Sequence, residues 1–79
     1  MQNSTNMRIL ELLQFLYART DENHPATVSD IIAHLNVKGI QAVRQTVYAD
    51  TNTLIDAGID IVVVKSTQNQ YFMGSRLFE

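Results

Sequence analysis

The chain contains no cysteine, which removes disulfides and thiolate metal sites from consideration. Its two histidines, His24 and His34, have no clustered carboxylates at ligand spacing around them, so no metal or other cofactor is expected. No apolar run approaches the roughly 20 residues that a helix needs to cross a bilayer. The opening residues Met1-Gln-Asn-Ser-Thr-Asn-Met7 lack both the positive and the apolar region of a secretion signal. The expected compartment is therefore the cytoplasm, with no membrane partner. No nucleophile–base pair or phosphate-binding loop is visible, and Asp56 and Asp60 have a spacing of no obvious catalytic use, so an enzyme is not expected. A surplus of positive charge is also missing: six Lys and Arg against eight Asp and Glu give a formal net charge of −2. Proteins that bind nucleic acid usually carry a basic patch, because phosphate neutralisation supplies much of their affinity. The position of the cations thus matters more than their sum, and Lys38, Arg44 and Lys65 cluster in sequence around one segment.

What is present is enough for one small domain over residues 1–79, with 46% apolar residues and a correspondingly thin core. From Met7 to about Thr20, Ile9, Leu10, Leu12, Leu13, Leu16 and Tyr17 recur at helical spacing and predict an amphipathic helix with those residues inward. Phe15 falls off that stripe, beside Arg8 and Arg19. It is expected either to meet another chain or to be covered by the N-terminal tail or a hairpin. Thr20–Ala26 reads as a loop containing the only proline, Pro25. Thr27 is a suitable N-cap with Asp30 three residues later, and Val28, Ile31, Ile32 and Leu35 stripe a second helix over Val28–Leu35. Asn36–Gly39 breaks it, with Gly39 free to take a positive φ.

The most readable segment is Gly39–Gly58. It predicts a third helix from Gln41 to Ala57, with Val43, Val47, Asp50 and Leu54 inward and Gln41, Gln45, Tyr48 and Asn52 outward, Arg44 at one edge and Ala49 at the other. Ile59–Lys65 is β-branched and predicts a strand, Ser66–Asn69 a polar turn, and Gln70–Met73 a returning strand. The expected fold class is α+β: three helices followed by a two-stranded β-hairpin, the order of a winged helix-turn-helix.

Chemically, the outward face suits the major groove, where each base pair offers its own donor and acceptor pattern. Gln45 and Asn52 can each meet adenine with a bidentate amide. Arg44 can reach guanine or a phosphate, and Tyr48 can donate its hydroxyl to a phosphate oxygen. Thr27 and Ser29, at the start of the second helix, are placed where free backbone N–H groups favour phosphate. Lys38 and Lys65 flank the reading helix, the latter on the hairpin.

Four pieces of the chain, in order, closely resemble the N-terminal winged helix-turn-helix of bacterial WYL-domain transcriptional regulators and, more distantly, the DeoR type. They are Arg8-Ile-Leu-Glu-Leu-Leu-Gln-Phe-Leu16, Thr20-Asp-Glu-Asn-His-Pro-Ala-Thr-Val-Ser-Asp-Ile-Ile32, Arg44-Gln-Thr-Val-Tyr-Ala-Asp50 with Leu54 and Ala57-Gly58, and Tyr71-Phe-Met-Gly-Ser-Arg-Leu-Phe-Glu79. The resemblance implies operator binding to double-stranded DNA, frequent homodimers, and a C-terminal effector-sensing domain into which Leu77 and Phe78 would lead. The chain departs from the family pattern at Val43, where a serine is common, at Gln45 and Ala49, where basic residues are usual, and at Thr51, where the position is apolar. A second reading follows from those departures: a winged helix used for protein–protein contact or dimerisation, with DNA binding reduced or lost.

Overall fold

The computed structural model describes residues 4–74. Residues 75–79, including Leu77 and Phe78, lie outside the described residues. The elements run α1 (Ser4–Arg19), β1 (Ala26–Thr27), α2 (Val28–Val37), α3 (Arg44–Asp56), β2 (Ile61–Val64) and β3 (Gln70–Met73). The domain is α+β, with three helices packed against a three-stranded antiparallel sheet of order β1-β3-β2. The third strand departs from the expected hairpin. Ala26 and Thr27 pair with Tyr71 and Gln70, so β3 is central rather than an edge. Two residues are too few to show strand periodicity in a sequence, and Pro25 immediately before them reads as loop.

Leu12 and Leu16 of α1, Val28, Ile31 and Leu35 of α2, Val47 and Leu54 of α3, and Ala26, Ile61, Tyr71 and Met73 of the sheet form the buried core. The sheet contributes by alternation: Ile61 lies opposite Met73 and Val63 opposite Tyr71, on the face turned to the helices.

Both long turns are built by the same device. Gly39 has φ +78° and Gly58 φ +99°. After α2, the Ile40 N–H donates to the Leu35 carbonyl at 2.8 Å and the Gly39 N–H to that of Asn36 at 2.9 Å. After α3, the Ile59 N–H donates to Leu54 and the Gly58 N–H to Ile55, each at 3.0 Å. These paired bonds are Schellman motifs, and they need a residue in the left-handed region at the glycine position. At the other end of α2, the expected capping box is present: Thr27 Oγ1 accepts from the Asp30 N–H, and Asp30 Oδ2 accepts from the Thr27 N–H, both at 3.1 Å. The helix runs to Val37, two residues past Leu35, and Val37 itself is exposed.

On α1, five of the six residues expected inward, Ile9, Leu12, Leu13, Leu16 and Tyr17, are buried or packed on the core, but the centre of the buried face is turned from its expected position. Leu10, expected inward, is 55% exposed, while Arg8 and Phe15, expected on the outer flank, face neighbouring elements. The rotation is about 60° on the helical wheel. Its cause lies in α3: Asp50 is buried, and Arg8 reaches it with two bonds, Nε to Oδ2 at 2.5 Å and a terminal nitrogen to Oδ1 at 3.1 Å. A buried carboxylate needs a cation, and satisfying it sets the face α1 presents. The same rotation lays the Phe15 ring on the His34 imidazole of α2, with centroids 4.6 Å apart and planes 27° from parallel. His34 Nε2 lies 3.5 Å from Glu11 Oε1. Among the described residues, Phe15 is therefore covered by His34 of α2.

Thr20 closes the last turn of α1. Its hydroxyl donates to the Leu16 carbonyl at 2.6 Å and accepts from the Met73 N–H at 3.0 Å, joining the helix end to β3. Among the described residues, no buried side-chain nitrogen or oxygen lacks a hydrogen-bond partner. No helix among them is long and apolar enough to cross a membrane.

Candidate nucleic-acid interface

α3 carries four of the nine candidate residues, Arg44, Gln45, Tyr48 and Asn52, so its stability comes first. It contains neither glycine nor proline, but three threonines weaken its intrinsic preference. Two of them bond back into the helix. Thr51, buried where the resemblance implies an apolar residue, donates to the carbonyls of Val47 and Tyr48 at 3.0 Å, and Thr53 donates to that of Ala49 at 3.0 Å. These bonds satisfy the hydroxyls without leaving the helix. The Arg8–Asp50 pair then fixes the rotation of α3 against α1. The hydrogen bond that Arg8 donates to Asp50 holds its guanidinium more firmly protonated than usual, against the opposing effect of burial.

The helix begins at Arg44, not at Gln41. Ile40–Val43 is a non-helical turn, because the Schellman motif around Gly39 redirects the chain and the helix nucleates only where the Val47 N–H meets the Val43 carbonyl, at 3.1 Å. Val43 is the N-cap, with extended backbone (φ −114°, ψ 171°) and no side-chain cap. It was expected inward and is instead 63% exposed, since a residue outside the helix does not follow the helical wheel. Gln41 likewise lies in the turn, exposed, off the α3 face to which the spacing assigns it.

Within α3, Gln45, Ala49, Asn52 and Asp56 share the solvent face. Arg44 is exposed at the first turn. Tyr48 is half-buried on the flank toward the sheet, where it packs against the core. Tyr48 and Asn52 line a cleft of about 210 Å³ with Val63, Lys65, Asn69 and Tyr71. Three of the expected contact residues, Tyr48, Asn52 and Lys65, are thus gathered where α3 meets the hairpin.

A second, open concavity of about 470 Å³ lies where α2 gives way to α3, lined by Asn36, Gln41, Ala42, Val43 and Thr46. Of these, only Gln41 belongs to the expected contact set. The signal for the others is the pair Gly39 and Val43: a glycine that stops one helix and an uncapped start to the next enclose a short turn whose side chains escape the helical periodicity.

Thr27 and Ser29 sit at the far end of α2, beside the hairpin. Thr27 pairs in register with Gln70 and uses its hydroxyl as the cap described above. Ser29 Oγ donates to Gln68 Oε1 at 3.3 Å, across to the hairpin turn. That turn is further shaped by Ser66 Oγ, which donates to the Gln68 carbonyl at 2.8 Å. Lys38, the C-cap residue of α2, Arg44 and Lys65 are all exposed, and among the described residues none of the three is held in an ion pair. Among the described residues there is no cluster of three or more His, Asp or Glu suited to a metal ion.

Comparison with protein-family profiles, with characterised proteins and with solved structures returns no match to this chain.

Proposed function

We propose that the domain is a winged helix-turn-helix that binds double-stranded DNA within a transcriptional regulator of the WYL-domain type. α2 and α3 form the helix-turn-helix, α3 enters the major groove, and the β2–β3 hairpin is the wing. The observation that carries this reading is the exposed face of α3, where Gln45 and Asn52 offer amides beside Ala49 and Asp56. Lys38, Arg44 and Lys65, just before, on and after that helix in the chain, are exposed without ion-pair partners among the described residues. Amides suit base edges and unpaired cations suit phosphates. The Gln45 and Ala49 departures reduce the positive charge of that surface, so affinity for non-specific duplex is weak and its salt dependence shallow.

An NMR titration with a mixed-sequence duplex at low salt tests the reading. Shifts should gather at Thr27–Ser29, Arg44–Asn52 and Lys65–Gln70. If Lys38, Arg44 and Lys65 each neutralise one phosphate, log K should fall with log salt at a slope of about −2.7. Shifts confined elsewhere overturn it.

The second reading, a winged helix that contacts protein, is favoured by one observation: Met7 and Leu10, a helical turn apart on the outer side of α1, are 40% and 55% exposed. Titration shifts absent from α3 and the hairpin, together with self-association lost on Leu10→Glu, would favour it.

A further inference from the structure

We propose that Val43 is a specificity-determining residue that reads the C5-methyl group of a thymine. The inference rests on the DNA-binding reading above and deepens it.

Val43 is a poor choice for the fold at its position. The N-cap of a helix prefers Ser, Thr, Asp or Asn, whose side chains accept from the first free N–H groups, and valine ranks near the bottom. Its extended backbone suits a β-branched residue, but threonine has the same shape and would also cap. Nor does the valine return apolar burial, because it is 63% exposed. Three buried or half-buried apolar residues near it, Val47, Ile40 and Ala42, already close the core beneath α3. A residue that breaks a local rule with no gain to the fold points to function.

Its surroundings indicate which function. Val43 and Ala42 form the apolar wall of the concavity at the leading end of α3, and Asn36, Gln41 and Thr46 supply its polar lining. In a helix-turn-helix the N-terminal residues of the second helix approach the base edges. Only thymine places an alkyl group in the major groove, beside its O4 acceptor, and its partner adenine offers an N6 donor and N7 acceptor that an amide can match. An apolar wall next to amides is complementary to an A·T pair and wasted on G·C.

The test removes the methyl alone. A duplex is selected from a random-sequence pool by binding to the domain, and each thymine in it is replaced in turn by deoxyuridine, which keeps pairing and every hydrogen-bonding group. Wild-type protein should lose about 4-fold in affinity at one thymine, as expected for one buried methyl. Val43→Ser and Val43→Ala should each be indifferent to the same replacement. Val43→Ser gains a cap and Val43→Ala is an equally poor cap, so loss of folding does not explain that result. If the variants respond to deoxyuridine as strongly as wild type, or if no thymine is sensitive, the proposal fails while DNA binding stands. If no sequence is enriched and no salt-dependent binding is seen, the DNA-binding reading fails and the proposal with it.

Discussion

Replacing Arg8 with alanine removes the two guanidinium donors that bond Asp50, whose side chain is only 6% exposed. An ion left in the interior without its partner typically costs about 3–5 kcal/mol. The reverse change is milder. Arg8 is 20% exposed at its side chain, and its long stem can carry the guanidinium to water once Asp50 is gone. Asp50→Ala should therefore cost about 1.5–3 kcal/mol, the value of hydrogen bonds to a charged group. For a chain of this size the whole folding free energy is about 4–12 kcal/mol, so the first substitution consumes a large share of it. The informative result is the double variant. Arg8→Ala/Asp50→Ala buries no stranded charge and should be more stable than Arg8→Ala alone, a reversal in which adding a second deletion restores stability. Urea denaturation of all four proteins closes the cycle. Equal losses for the two single variants, or a double variant less stable than Arg8→Ala, would refute the view that a buried carboxylate sets the packing of α1 on α3.

Three further outcomes are expected. Val43→Ser should stabilise the domain by about 0.5–1 kcal/mol through a new N-cap, seen as a rise in Tm of a few degrees. Gly58→Ala, at φ +99°, should destabilise it by about 1–2 kcal/mol in the same measurement, although a methyl group there would meet open space. Asp21, which accepts from the His24 imidazole and from the Asn23 N–H, is held below its ordinary value of 3.8, chiefly by the His24 contact. Because the folded-state value is the lower one, the contribution is present above the unfolded value and fades as pH falls through the folded one. Carboxyl NMR should give a depressed midpoint in wild type, and His24→Ala should raise it.

The helical elements were legible wherever one residue type answered one local requirement. Thr27 with Asp30 announced the start of α2, and Gly39 and Gly58 announced both helix ends, because capping and positive φ are settled within a few residues. The α3–hairpin order could be read from the valine-rich run after Gly58. What escaped was decided between elements. The wheel of α1 counted Leu10 as inward because it weighed apolarity alone; the demand of Asp50 for Arg8, 42 residues away, turned the helix instead. Asp50 on the inward face was itself the clue, since a buried carboxylate obliges a search for its cation. Ala26–Thr27 carried no strand signal because its pairing depends on a partner strand more than 40 residues later. In the candidate site, the outward amides of α3 were visible from spacing. The exposed Val43 was not, because the turn before Arg44 lies outside helical geometry.

The seating of β3 has a consequence for the order in which the domain can assemble. All three helices precede this strand in the chain, yet β3 supplies the central strand of the sheet, the Met73 N–H bonded to Thr20, and the partner for the residue that caps α2. During synthesis, the helices leave the ribosome before the strand to which Thr20 and Thr27 also bond. Folding is then gated by the last described strand, and contacts this distant in sequence make the step slow relative to helix formation. A nascent chain stalled before Tyr71 has emerged would hold helical segments with an open apolar face, and the compact domain would form only when the final few residues of β3 clear the tunnel.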